Sequence, residues 1–103
     1  MPEHAGANAA QQEYWNTVAG PRWVELEGFV ERRVRAVNDL LLRYSAVAAG
    51  ERVLEIGCGT GAFTMPLAEA AGARGSVLGA DISEAMLAGA RKRTAESGLR
   101  NIT

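Results

Sequence analysis

Three glycines at alternate positions, Gly57, Gly59 and Gly61, follow a short apolar run at residues 53–56. Two carboxylates bracket them, Glu55 just before the first glycine and Asp81 after the next apolar run. Glycine takes positive φ freely and lets the backbone pass close to a ligand, so the spacing describes a strand that turns sharply beneath a small molecule. An acid at the end of the following strand is placed to accept both hydroxyl protons of a ribose. The string Gly57-Cys58-Gly59-Thr60-Gly61-Ala62 also fits the dinucleotide pattern G-x-G-x-x-G/A, which admits an NAD-type ligand and with it half of an NAD-dependent oxidoreductase. Glu55 weighs against that ligand. A carboxylate there repels a pyrophosphate, whereas it attracts an ammonium or sulfonium group by about 1 to 4 kcal/mol at close range. The residues therefore favour a cationic, ribose-bearing ligand.

Such residues need a parallel βαβα unit to hold them. Residues 53–56 read as a short strand covered on both faces, as parallel sheets require. A helix should begin near Thr60 or Gly61 and end at Gly72, with Pro66 as its irregularity: either the helix starts later or one hydrogen bond is missing. Residues 76–80 form the second strand, delivered in parallel by the crossover helix. Ser83 then caps a second helix that carries Ala85, Met86, Leu87 and Ala90 and stops at Gly98. Asn101, Ile102 and Thr103 look like the start of a third strand.

The N-terminal part is helical. Residues 2–10 are small and weakly patterned and read as a tail, followed by a short helix around Tyr14 and Trp15 and a break at Gly20-Pro21. From about Arg22 to Ser45 apolar residues recur every three or four positions, which predicts an amphipathic helix with Gly28 as its weak point, a kink or a division into two helices. Glu31 and Arg35 form a favourable pair on it, and Gly50 suits its left-handed end. The expected division is a tail and short helix over residues 1–21, then a helix and half-domain over residues 22–103.

Composition narrows the class. A chain of 103 residues with 48% hydrophobic and 22% charged residues has room for one core. A formal net charge of -1 gives no field of one sign for a phosphate backbone, so no nucleic-acid partner is expected. Cys58 and His4 are single of their kind, which leaves no disulfide framework and no metal site. Without a secretory signal or an apolar run of membrane length, the expectation is a cytoplasmic protein with no membrane partner.

Val53-Leu54-Glu55-Ile56-Gly57-Cys58-Gly59-Thr60-Gly61 resembles the first motif of class I S-adenosylmethionine-dependent methyltransferases, and Gly79-Ala80-Asp81-Ile82-Ser83-Glu84-Ala85-Met86-Leu87 resembles their second. Tyr14-Trp15-Asn16 with Gly20-Pro21-Arg22-Trp23-Val24 is similar to the helical N-terminal extension of small-molecule methyltransferases in that group. The resemblance implies a Rossmann-like, doubly wound α/β sheet with S-adenosyl-L-methionine as cofactor and a small-molecule methyl acceptor. It implies that Gly57, Gly59 and Gly61 approach the methionine and ribose portion, and that Glu55 lies beneath the turn near the amino group. Asp81 would bind the ribose hydroxyls and Ile82 would pack on the adenine. It assigns no general base. Cys58 reads as a small turn residue, Met86 as core, and Arg91-Lys92-Arg93 as a solvated helix end. Tyr14, Trp15 and Trp23 read first as packing anchors and second as part of a cap over the cofactor.

The resemblance covers the N-terminal half of such a domain, so the chain is expected to be a truncated βαβα unit, inactive by itself. The strand at residues 53–56 would then keep an unpaired edge, open to self-association or, in a noncatalytic reading, to a partner protein that binds this edge or the N-terminal helices.

Overall fold

Helix-forming segments precede and then alternate with two short runs of branched apolar residues in the computed structural model, which describes residues 2–103. The elements run α1 (Pro2–Thr17), α2 (Ala19–Glu25), α3 (Glu27–Ser45), β1 (Arg52–Ile56), α4 (Thr64–Ala71), β2 (Ser76–Ala80) and α5 (Glu84–Ser97). β1 and β2 pair in parallel, with Val53 opposite Val77 and Glu55 opposite Gly79. On the outer edge of β2, Asn101 and Thr103 continue the ladder. Val77 N–H donates to Asn101 O at 2.8 Å, Thr103 N–H to Val77 O at 2.9 Å and Gly79 N–H to Thr103 O at 2.8 Å. The third strand thus begins where the sequence places it. The opposite edge of β1 has no strand partner among the described residues.

The core lies on one side of this sheet. Leu67 and Ala68 of α4 pack on Val77, surrounded by Leu42, Val47, Val53, Phe63, Leu99 and Ile102. Removing each large aliphatic side chain from water here contributes about 1.5 to 3 kcal/mol. The other face differs from the expectation of two covered faces: Leu54, Ile56 and Leu78 are 59%, 83% and 51% exposed. Alternation along each strand sends these residues away from α4, and Leu54 and Ile56 open instead onto the cavity that Val30 and Val34 of α3 also line.

Helix ends correct several expectations. α1 is helical from Pro2, so residues 2–10 belong to a helix and not to a tail. The chain breaks at Val18 rather than at Gly20-Pro21, because Pro21 falls in the first turn of α2, where its missing N–H has no helical acceptor to lose. α2 therefore runs across residues 21 and 22. The long helix divides at Leu26, which separates α2 from α3, and Gly28 stays inside α3. Ala46 at φ 50° holds the left-handed end of α3; Gly50 instead turns the chain into β1, its N–H donating to Ala71 O at 2.8 Å. α4 starts at Thr64, later than the expected Thr60 or Gly61, and this puts Pro66 in its first turn, where no helical hydrogen bond is missing.

Charges also fall differently. Glu31 pairs with Arg93 of α5 and not with Arg35, and Glu27 lies 3.5 Å from the same guanidinium. Arg93 is thereby lifted out of the solvated helix end read for residues 91–93, and joins α5 to α3. Among the described residues no helix is long and apolar enough to cross a membrane.

Candidate functional site

The glycine turn is built from backbone torsions that side chains oppose. Gly57, Gly59 and Gly61 take φ of 76°, 57° and 87°. Gly57 N–H and Cys58 N–H both donate to Ala80 O, at 2.7 and 3.0 Å, which stitches the end of β1 to the end of β2. Asp81 completes the stitch: one carboxylate oxygen accepts Gly59 N–H at 2.8 Å and the other accepts Ser83 N–H at 2.9 Å. An ionised carboxylate has about four acceptor positions, so two remain for a ligand.

Two cavities meet at this turn. One, of about 620 Å³, is lined by Trp15, Trp23, Gly57, Gly59, Asp81 and Ile82. The second, of about 540 Å³, shares Gly57 and Gly59 and has Glu55 in its wall, with Val30 and Val34 of α3 opposite. The crest of the turn stands between an acid that suits hydroxyls and an acid that suits a cation. A Cβ at Gly57 would meet nothing within 4 Å, so this backbone faces open space, whereas one at Gly59 would come within 3.0 Å of Met86 Cε.

Of the residues read as cofactor-binding, Glu55, Gly57, Gly59, Asp81 and Ile82 therefore line these two cavities. Gly61 lines neither. A Cβ there would make ordinary contact with Ala90, 3.5 Å from its Cβ, so the φ of 87° rather than crowding calls for glycine at 61. The glycine spacing alone does not separate a ligand-facing position from one that only shapes the turn.

Glu55 is half-buried on the covered face of β1, where Thr64 Oγ1 donates to its carboxylate. Burial pushes its carboxyl above the ordinary value of 4.5; the Thr64 hydrogen bond opposes the rise and the nearby Asp81 charge adds to it. The folded protein thus holds a proton that the unfolded chain releases. Stability tied to that proton is present below the ordinary carboxylate range and is lost as pH rises through the folded pKa, in the window just above 4.5. Glu55→Gln keeps an oxygen for Thr64 and removes the charge. The variant is expected to melt at a higher temperature than the parent at about pH 7, with the difference closing towards about pH 4. Equal melting temperatures across that range would contradict the assignment.

Cys58 is buried, and burial together with the Glu55 and Asp81 charges pushes its thiol above the usual value, the opposite of an activated nucleophile. Its side chain occupies the space above Gly79, where an added Cβ would come within 3.0 Å of Sγ. The small-turn-residue reading fits this placement.

Sequence reasoning gave no site role to Thr64 or Asn16, and gave Trp15 and Trp23 one only as a second reading. Thr64 gave no signal apart from being a hydroxyl in a helix. Trp15 and Trp23, read first as packing anchors, form part of the cavity wall, with ring centroids 6.0 Å apart. Asn16 bonds directly to the turn after Asp81: its Nδ2 donates to Ile82 O at 2.9 Å and its Oδ1 accepts Glu84 N–H at 2.8 Å.

A parallel βαβ unit with a glycine turn, and an acid ending the second strand, defines a nucleotide-type binding fold. The sequence profile described as a methyltransferase domain matches residues 48–103, and the chain belongs to that family. It is 51% identical over 63 residues to aklanonic acid methyltransferase of Streptomyces sp. (strain C5), a match that takes in 61% of this chain and 29% of that protein. It is 47% identical over 57 residues to demethylmenaquinone methyltransferase of Shouchella clausii (strain KSM-K16), covering 55% and 24% of the two chains. Among solved structures, magnesium protoporphyrin IX methyltransferase from Synechocystis PCC 6803, with bound SAH, superposes with a TM-score of 0.67 at 26% identity. That likeness covers 93% of this chain and 49% of the other. The sheet is thus the beginning of a Rossmann-like methyltransferase fold, and the chain spans less than a third of the length of the two relatives named.

Proposed function

We propose that this chain is the S-adenosyl-L-methionine-binding portion of a methyltransferase that acts on a small molecule. The observation that carries the reading is the pair of cavities on either side of the Gly57–Gly59 crest, one with Asp81 and Ile82 and the other with Glu55. A ligand with a ribose at one end and a cationic amino-acid group at the other fits that order of chemistry, and a pyrophosphate beside Glu55 does not. The acceptor class is supported by three of the similar proteins, named for aklanonic acid, demethylmenaquinone and magnesium protoporphyrin IX.

In this reading the free acceptor positions of Asp81 take the ribose hydroxyls, Ile82 packs on the adenine, and the bare Gly57 backbone lies against the middle of the ligand. Glu55 holds the amino group. The cofactor supplies an activated methyl group on a sulfonium. The protein's part is to orient it and to exclude water, since alignment of a ready electrophile provides most of what such a transfer needs. Trp15 and Trp23 screen the cavity from solvent.

Isothermal titration of the intact protein tests the reading. S-adenosylmethionine and its demethylated product should bind with one site each, and NAD should give no heat of binding. Binding of NAD alone would favour the dinucleotide reading of the same glycines.

A further inference from the structure

The turn after β2 is gripped from both sides. Asp81 and Ile82 face the cavity, while Ile82 O, Ser83 Oγ and Glu84 N–H face α1. Ser83 Oγ donates to Trp15 O at 2.8 Å, and its residue is fully buried. Asn16 supplies the rest of the grip. Its Nδ2 donates to Gln12 O at 2.7 Å and to Ile82 O at 2.9 Å, while its Oδ1 accepts Glu84 N–H at 2.8 Å. Exchanging the amide's two ends would set an oxygen against two carbonyls and an amine against an N–H, so the pairing fixes its orientation.

We infer that Asn16 is a positioning residue that couples closure of α1 over the cavity to occupancy of the cofactor site, an inference that rests on the proposed cofactor reading. A ligand that fixes Asp81 and Ile82 fixes the carbonyl and the N–H on which Asn16 docks. Docking in turn brings the neighbouring Trp15 ring into the cavity wall. By linkage the coupling acts equally in both directions: a closed α1 tightens the cofactor, and the cofactor holds α1 closed. Asn16 is suited to this role because it stands apart from the core: among the described residues, the hydrophobic cluster of Leu67, Ala68 and Val77 and the side chains packed on it include none from α1.

The test is hydrogen exchange and calorimetry on the intact protein, with S-adenosylhomocysteine as the probe, for the parent, Asn16→Ala and Asn16→Asp. In the parent, the probe should slow exchange both in the 57–61 turn and in residues 6–17. Asn16→Ala should bind it roughly tenfold more weakly, as two tertiary hydrogen bonds are lost. At saturation that variant should protect the 57–61 turn while leaving α1 unprotected. Asn16→Asp keeps an acceptor for Glu84 N–H but sets a charged oxygen against the Gln12 and Ile82 carbonyls, and should bind the probe no more tightly than Asn16→Ala. Exchange in β1 and β2 should be the same in all three proteins; faster exchange there in the variants would make Asn16 a structural residue and overturn the inference. Affinity within twofold of the parent, or a parent α1 indifferent to the probe while the 57–61 turn is protected, would also overturn it and leave the cofactor reading standing. A parent with no protection at either place would overturn both.

Discussion

Asp81→Ala is expected to abolish most cofactor affinity in the intact protein, a loss of roughly a hundredfold or more by calorimetry with S-adenosylhomocysteine. Hydrogen bonds to a charged group contribute about 1.5 to 3 kcal/mol each, and a cofactor ribose would make two of them to this carboxylate. The change does a second kind of damage. The same carboxylate accepts Gly59 N–H at 2.8 Å and Ser83 N–H at 2.9 Å, so its removal also frees the glycine turn from the end of β2. Asp81→Asn separates the two effects in part, since its single oxygen satisfies one of those N–H groups and its amine faces the other. Its affinity should lie between those of the parent and the alanine variant. Binding by Asp81→Ala within threefold of the parent would show that the ribose lies elsewhere, and Ile82 would lose its place with it.

The reason Asp81 was legible in the sequence is that strand and turn chemistry are local. Branched residues, then glycines, then an acid after the next branched run left little freedom, and β1, β2 and the Ser83 cap fall within a residue of where the pattern puts them. Pro66 marked a start at Thr60 or Gly61 as irregular, because a proline has few places in a helix, and the later start at Thr64 is one of the two ways to accommodate it. What the pattern did not carry depends on partners far along the chain. Arg93 reads as one of three adjacent cations on a helix end, and only the approach of α3 gives it Glu27 and Glu31. Gly61 matches the fingerprint as well as Gly57 does, and only the folded turn shows that it lines neither of the two cavities. Asn16 has no periodicity to mark it, since its partners are the carbonyl of Ile82 and the N–H of Glu84.

Gly20 and Gly28 differ in the same way. The sequence presents Gly20 as a helix breaker and Gly28 as a weak spot; the first description fails, and the second holds for a glycine inside α3. Gly20 lies inside α2 and is buried, and a Cβ on it would sit 2.0 Å from Trp15 O and 2.2 Å from Ser83 Oγ. A backbone oxygen cannot rotate aside, so α2 would have to move away from α1 and from the start of α5. Ser83 Oγ is also the cap that accepts Met86 N–H at 3.3 Å, which adds about 1 kcal/mol to an overpacking cost of about 1 to 3 kcal/mol. Gly20→Ala is thus expected to loosen α1 and α2 by roughly 2 to 4 kcal/mol. Faster hydrogen exchange in both helices, with β1 and β2 unchanged, is the outcome to look for, along with weaker S-adenosylhomocysteine binding as the Trp15–Trp23 wall withdraws. Gly28→Ala should do the reverse. Its added Cβ would meet only Arg32 Nη1, at 3.6 Å, so the alanine gains the ordinary helical advantage of about 0.5 to 1 kcal/mol and should raise the stability of α3 without touching the site. If Gly20→Ala instead left α1 and α2 protected as in the parent, the close approach of α2 to Ser83 would be wrong, and with it the route by which the N-terminal helices reach the cavity.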